Sequence, residues 1–431
     1  MANDQIYAIV DYEDEYVQKL LLSALSKCIG SENIIFVKSI KDLPSPSAKV
    51  LQWVQYESID FEHSLSNTKT SLANSYMIRK ALIRKHYLST VVTYWLAKQP
   101  GSILRDHVKP SVEFEVDYAE FLDDALVDAW DLKESWAMND SLDVDNKQKE
   151  WWILKPGMSE RGQGIRLFSS EEELTEIFEE WDPPSEDDED EAEDDQQTIS
   201  DANGASAYAN AVRTSHLRHF IAQPYIDRPL LLPDPHASAG RKFHVRTYVV
   251  ATGALKVYVY RPMLALFAEQ LYAAPTPGAN DELNRHLTNT CLQTGEREGS
   301  VNAFWSLPSK LTNLPGVKDW REDVYTQIFR TTSELFLAAA RTMGTHFQPL
   351  PNAFEIFAID FLVDETDTAW LLEVNAFPDF KQTGEELKDV VEGLFIGVVD
   401  VAIKPFFGMN DDRAVDDTSM VEALNVDLGR H

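Results

Sequence analysis

Two acids stand inside strand-like runs that are otherwise apolar. Asp360 interrupts FEIFAIDFLV, and Glu373 and Asn375 close LLEVNAF. The runs Phe354–Val363 and Ala369–Val374 read as a hairpin across Asp364–Thr368. Counting back from that turn sets Asp360 within about one residue of opposing Glu373. Carboxylates that close repel unless a cation lies between them or one takes a proton. Two carboxylates and an amide oxygen make a hard oxygen cradle, suited to Mg²⁺ that also coordinates phosphates. Solvated acids on an edge strand are the plainer alternative, but both runs are too apolar for an edge.

Lys155 ends the apolar strand EWWILKP and precedes a glycine-bearing loop, Gly157–Gly164. A strand-end lysine with a flexible loop suits a nucleotide phosphate, although the spacing matches neither the P-loop nor the dinucleotide fingerprint. By itself it is equally a lysine beside a turn. Lys242, His244 and Arg246 alternate with Phe243, Val245, Thr247 and Val249, so three basic groups point one way along about 13 Å of strand. A solvated sheet face is an equal alternative. Arg261 lies on the next strand, and His286–Asn289 (HLTN) gathers polar groups in a loop. No Ser/His/Asp or Cys/His set stands out, and the ten histidines lack zinc-protease spacing.

The elements that must position these groups follow from periodicity. Residues 6–10, 34–37 and 50–54 read as strands, and 15–28 as a helix with Val17, Leu20, Leu21 and Ala24 on one face. Residues 74–98 read as one basic helix carrying Arg79, Lys80, Arg84, Lys85 and His86. Further helices are expected from about 170 to Trp181, over Asp323–Met343, and up to Phe407. In Glu186–Asp195 nine of ten residues are acidic, which marks a disordered insertion over about 183–212. The expected units are 1–68, 69–226 with that insertion, 227–408, and a loose polar tail over 409–431.

A chain of 431 residues easily buries a core. With 71 acids against 39 bases its net charge is −32, which argues against direct nucleic-acid binding and against docking on an anionic membrane. The most apolar late stretch, LFIGVVDVAIKPFF, is interrupted by Asp400 and Lys404 and is too short to span a bilayer. Only Cys28 and Cys291 are present, so no disulfide framework or cysteine zinc site is expected. A reduced cytoplasmic setting fits, nuclear access and cytoplasmic granules included.

Taken in order, seven segments resemble the tubulin–tyrosine ligase family of the ATP-grasp superfamily. They are ALIRKHYL (81–88), WILKPGMSERGQGI (152–165), IAQPYIDRPLLL (221–232), RKFHVRTYVV (241–250), HLTN (286–289), FEIFAIDFLVDE (354–365) and WLLEVNAFPDF (370–380). GVVDVAI (397–403) is similar to the family's final helix. The resemblance implies an α/β (α+β) fold that grips ATP between two antiparallel sheets, beside a small N-terminal Rossmann-like domain. It implies that Lys85 and Lys155 contact phosphates and that Gln223, Tyr225 and Ile226 form the hinge at the adenine. Lys242 and His244 would lie on the nucleotide side, Arg246 and Arg261 would hold the acceptor carboxylate and the developing phosphate, and Thr288 and Asn289 would sit at the substrate edge. Asp360, Glu373 and Asn375 would bind Mg²⁺.

The implied activity is ATP-dependent addition of tyrosine to the acidic C-terminal tail of tubulin through an acylphosphate. Glutamylation or glycylation by the same machinery is a second reading. A degenerate ATP-grasp binding module in a cytoplasmic complex is a third. His244 stands where the family has an acid that can accept bonds from ribose, and Pro224 stands where a basic hinge residue is common.

Overall fold

In this computed structural model the described residues are 5–12, 14–142, 149–157, 163–181, 219–277, 279–288, 300–314, 316–380, 383, 387–409 and 419–428. The acidic insertion expected over 183–212 lies outside them. Strands β1 (Ile6–Val10), β2 (Ile34–Phe36), β3 (Val50–Trp53) and β4 (Ser71–Ala73) form a parallel sheet ordered β2–β1–β3–β4. The N-terminal unit therefore runs past the boundary expected at 68. The Asp14 carboxylate accepts from the Val17 N–H at 3.0 Å and starts the helix Glu15–Ile29, which buries Val17, Leu21, Ala24, Leu25 and Ile29.

Two antiparallel sheets follow. The smaller joins β5 (Val112–Glu115), β6 (Trp152–Pro156), β7 (Arg166–Phe168) and β8 (His219–Pro224) in the order β5–β8–β6–β7. The larger holds β9 (Arg241–Thr252), β10 (Lys256–Tyr260), β11 (Leu264–Leu271), β12 (Val301–Ala303), β13 (Phe354–Val363), β14 (Ala369–Ala376) and β15 (Met420–Asn425). Strand β9 is its axis. One edge pairs with β13, and the other pairs with β11 and then β10. Phe243, Val245 and Val249 on one face of β9 join the core formed with the helix Trp320–Thr342. On the other face Tyr248 and Val250 pack towards the N-terminal unit and the helix Lys388–Val398.

Two expectations need correcting. The single helix over 74–98 is two, Lys80–Ile83 and Lys85–Lys98, with Arg84 in an extended conformation between them. Residues 74–76 are tied elsewhere. The Asn74 amide donates to the Val54 carbonyl at 3.0 Å, and Ser75 Oγ donates to Glu355 Oε1 at 3.0 Å. Such bonds compete with helix formation. The tail is not loose throughout either, because Met420–Asn425 pairs antiparallel with β10 and the Ser333 hydroxyl donates to the Ala423 carbonyl at 2.6 Å. Among the described residues no helix is long and apolar enough to cross a membrane.

Candidate functional site

Strand register builds the centre of the site. Asp360 on β13 sits opposite Arg246 on β9 and opposite Glu373 on β14, which places the three residues in one row across the sheet. The separation read from the hairpin is therefore met. A bulge with Leu372 as the extra residue follows this pair and breaks the regular ladder beside the site. Arg246 grips Asp360 with both arms, Nε to Oδ1 at 2.9 Å and Nη2 to Oδ2 at 2.8 Å. Burial works against the guanidinium charge, but Asp360 outweighs it and raises the Arg246 pKa. Asn375 Nδ2 donates to Glu373 Oε1 at 3.1 Å and to Asp360 Oδ2 at 3.4 Å. Lys85 Nζ lies 3.5 Å from Glu373 Oε2. Burial opposes ionisation of Glu373, yet Lys85, the Asn375 bond, Lys155 and Arg246 together hold it down at about 2.

The protein's own cations thus answer the carboxylate repulsion. Asp360 and Glu373 nevertheless keep hard oxygen donors side by side, because each carboxylate oxygen has a second lone pair, and Asn375, which here turns its amide nitrogen to both, would add its oxygen with the amide turned over. That donor set fits Mg²⁺ completed by phosphate oxygens. Among the described residues no group of three or more His, Cys, Asp or Glu could hold a metal alone.

The basic face of β9 is buried, not solvated: Lys242 is 5% exposed and His244 4%. The small sheet lies across it and encloses a cavity of about 720 Å³ lined by Lys85, Lys155, Gln223, Tyr225, Ile226, Lys242, His244, Arg246, Thr288, Asp360, Glu373 and Asn375. Burial drives Lys242 down to about 7, with Lys155 adding and Asp227 opposing. Burial likewise brings Lys155 down to about 8, with Glu373 opposing and Lys85 adding. Lys155 Nζ donates to Gln223 Oε1 at 3.0 Å, and Lys242 Nζ donates to Tyr225 Oη at 2.7 Å. The hinge residues therefore hold the two lysines through side chains, while the Tyr225 N–H donates to the Trp151 carbonyl at 2.7 Å.

Burial also lowers His244 to about 4, so the ring is neutral. Its Nδ1 lies 2.5 Å from Thr288 Oγ1 and its Nε2 3.5 Å from Asp360 Oδ1. The ring is engaged by Thr288 at Nδ1 while its buried Nε2 makes no hydrogen bond, and a neutral imidazole is a poor substitute for an acid towards ribose. Tyr225 Oη lies 3.0 Å from Nδ1 of His286, which burial brings down to about 4 with help from Lys242 and Arg285.

Arg261 is not brought to this cavity. It follows β10, its N–H bonds the Ser419 carbonyl at 2.9 Å, and its Nη2 pairs with Glu322 Oε1 at 2.6 Å while the guanidinium stacks on Trp305 and Tyr325. The β11 residues opposite Arg246 and His244 are Leu264 and Leu266, both buried. Asn289 lies outside the described residues. The cavity also takes Arg79 of the basic stretch 74–98, and with it Tyr12, Tyr56, Lys109 and Phe377, which no periodic pattern marks. The available signal was topological: Tyr12, Tyr56 and Arg79 follow the carboxyl ends of β1, β3 and β4.

Comparison with known proteins gives the family and the fold. The model of the tubulin-tyrosine ligase family matches residues 66–411. A protein of Schizosaccharomyces pombe named as a probable tubulin–tyrosine ligase is 44% identical over 414 residues, covering 95% of this chain and 94% of that protein. The Saccharomyces cerevisiae protein PBY1, also named as a probable tubulin–tyrosine ligase, is 39% identical over 419 residues, covering 94% of this chain and 52% of that protein. The chain spans about half of PBY1. The crystal structure of the C-terminal domain of K. lactis Pby1 superposes with a TM-score of 0.69 and 36% identity, covering 98% of this chain and 99% of that one. Pby1 is described as an ATP-grasp enzyme interacting with the mRNA decapping enzyme Dcp2.

Proposed function

Because this chain belongs to the tubulin-tyrosine ligase family and has the ATP-grasp fold, we propose that it is an ATP-dependent carboxylate–amine ligase that adds tyrosine to the C-terminal glutamate of tubulin. The observation that carries this reading is one cavity in which three lysines face the row Arg246–Asp360–Glu373. Lys85, Lys155 and Lys242 take the phosphates of ATP, and Gln223 to Ile226 border the base. Arg246 orients the acceptor carboxylate, with Thr288 at the substrate edge. Asp360, Glu373 and Asn375 would hold Mg²⁺, which when bound neutralises charge on the phosphates.

The chemistry needs positioning and charge rather than a protein nucleophile. The acceptor carboxylate attacks the γ-phosphorus, ADP leaves, and an acylphosphate remains. The free amine of tyrosine attacks the acyl carbon, phosphate leaves, and the amine's proton passes to solvent. Arg246 suits the first step through Nη1 and the second hydrogen of Nη2, since Nε and the other Nη2 hydrogen are already paired with Asp360.

The test is incubation of the chain with ATP, Mg²⁺, detyrosinated tubulin and labelled tyrosine, with glutamate and glycine in parallel. ATP-dependent incorporation of tyrosine is expected, and incorporation of another amino acid in its place overturns the tyrosine assignment. One observation favours a second reading, a nucleotide-binding module kept within a larger assembly: Arg261 lies outside the cavity, and Leu264 and Leu266 stand beside the β9 cations. Tight ATP binding without incorporation of any amino acid would establish that reading.

The two depressed lysines make nucleotide binding depend on pH. ATP phosphates favour the ammonium forms, so binding takes up protons wherever the free site is neutral, above about 7 for Lys242 and about 8 for Lys155. Affinity should therefore fall as pH rises through this window, by up to about tenfold per pH unit for each lysine above its own pKa. Calorimetry near pH 8.5 (roughly) in two buffers of different ionisation enthalpy should register net proton uptake. Binding with no proton uptake would place the phosphates elsewhere.

A further inference from the structure

Three buried side chains from three separate elements meet at the hinge. Lys242 comes from β9, Tyr225 follows β8, and His286 follows the short helix Ala279–Arg285. Lys242 Nζ lies 2.7 Å from Tyr225 Oη and 4.0 Å from the centre of its ring, and the same Oη lies 3.0 Å from His286 Nδ1. His286 is anchored from behind. Its N–H donates to the Leu283 carbonyl at 2.9 Å, and Asn280 pins the same helix to β7, accepting from the Leu167 N–H at 2.8 Å and donating to the Leu167 carbonyl at 3.1 Å. The chain Lys242–Tyr225–His286 thus runs from the large sheet to an element tied to the small one.

A hydroxyl has one proton to give, so the two bonds at Tyr225 Oη constrain each other. An ammonium at Lys242 can only donate. It takes a lone pair of Oη and leaves the hydroxyl proton for His286, whose Nδ1 must then be bare and whose own proton must sit on Nε2. A neutral amine is a better acceptor than donor. The hydroxyl proton then turns to Lys242, and His286 meets Oη with a proton on Nδ1. The lysine is the member of the chain whose charge changes near neutral pH. Burial leaves Lys242 at about 7, with Lys155 adding and Asp227 opposing, whereas burial, Lys242 and Arg285 bring His286 to about 4. Tyr225 keeps its proton, since burial, Tyr272 and Asp227 hold its pKa well above the ordinary value. Tyr272, whose own proton goes to the Asp227 carbonyl, is the rival acceptor for it.

We propose that His286 is the positioning residue for Lys242 and that its tautomer follows the lysine's charge: Nδ1 accepts the Tyr225 proton while the ammonium is present and donates to Tyr225 when it is absent. One net proton moves. Lys242 takes it from solvent when phosphates bind, the Tyr225 proton swings from Nζ to Nδ1, and the imidazole gives up a proton at Nδ1 to solvent and gains one at Nε2. Arrival of the nucleotide is thereby registered two residues before Thr288, whose hydroxyl meets His244. That consequence rests on the reading of Lys242 as a phosphate ligand, whereas the tautomer change itself needs only a change of pH.

The experiment is nitrogen NMR of the full chain labelled in its histidines, with His286→Asn identifying the signal. In the free chain His286 should stay neutral from about pH 6 to about pH 8.5, yet pass from bare to protonated at Nδ1 as Lys242 loses its charge at about 7. At the upper end of that range a non-hydrolysable ATP analogue with Mg²⁺ should return Nδ1 to the bare form. Tyr225→Phe should abolish the pH response, with thermal melting as the folding control. His286→Leu should weaken binding of the analogue by up to about tenfold, the worth of one hydrogen bond. His286→Asn still offers an acceptor and should restore most of that loss. A single tautomer across the whole pH range overturns the proposal, and one protonated at Nδ1 throughout would hand the Tyr225 proton to Tyr272. A tautomer that follows pH but ignores the bound analogue would uphold the coupling and remove Lys242 from the phosphates.

Discussion

Arg246→Gln should destabilise the fold by about 3–5 kcal/mol, the usual cost of removing one partner from a buried ion pair. Asp360 sits in the middle of the large sheet and is 3% exposed. Its two strongest partners are the two arms of Arg246, at 2.9 and 2.8 Å. Neither neighbour can take over. His244 is neutral and 3.5 Å away, and Asn375 offers one long bond at 3.4 Å. Glutamine cannot bridge both carboxylate oxygens or supply charge, so a buried carboxylate is left uncompensated. The paired change Arg246→Met with Asp360→Leu should recover most of the loss, since replacing both partners by apolar groups is often nearly neutral. Urea unfolding of the single and paired variants measures the difference directly. A single variant within about 1 kcal/mol of the original, as for an exposed pair, would show that solvent already relaxes this contact.

That row was legible in the sequence because its signals are local. An acid inside an apolar run, a short turn, and a second acid at the matching distance are enough to set Asp360 against Glu373. Alternation likewise gave Lys242, His244 and Arg246 one face. Their burial was not legible, because the covering strands β6 and β8 carry no mark of what they face. Arg261 misled for a related reason. It stands one residue past β10, where the partner that fixes its backbone is Ser419, beside a strand whose sequence MVEALN has no regular alternation. The late start of the basic helix, at Lys80 rather than residue 74, follows from Asn74, Ser75 and Tyr76 finding Val54 and Glu355, contacts far apart along the chain. The Tyr12–Arg79 end of the cavity was invisible for the same reason: its residues belong to three loops that only the parallel sheet brings together.

Glu373→Gln should separate metal binding from plain electrostatics by the sign of its effect. Glu373 is kept ionised, at about 2, against the cost of burial, and Lys85 is the foremost group that keeps it so. If its carboxylate helps hold Mg²⁺, the variant should bind ATP in Mg²⁺ about 100-fold more weakly or worse, since even outer partners of a metal are worth about 10- to 100-fold. In EDTA the same change removes a negative charge beside the triphosphate. Lys85 and Lys155 then lose a competing anion, and ATP should bind as well as before or more tightly. A residue that merely positions the lysines would give a different pattern, because a displaced Lys85 or Lys155 weakens binding whether or not metal is present. Titration of ATP into both proteins, with Mg²⁺ and with EDTA, yields the four affinities needed. Equal weakening under the two conditions would remove Glu373 from the metal site and leave it as the anchor of Lys85.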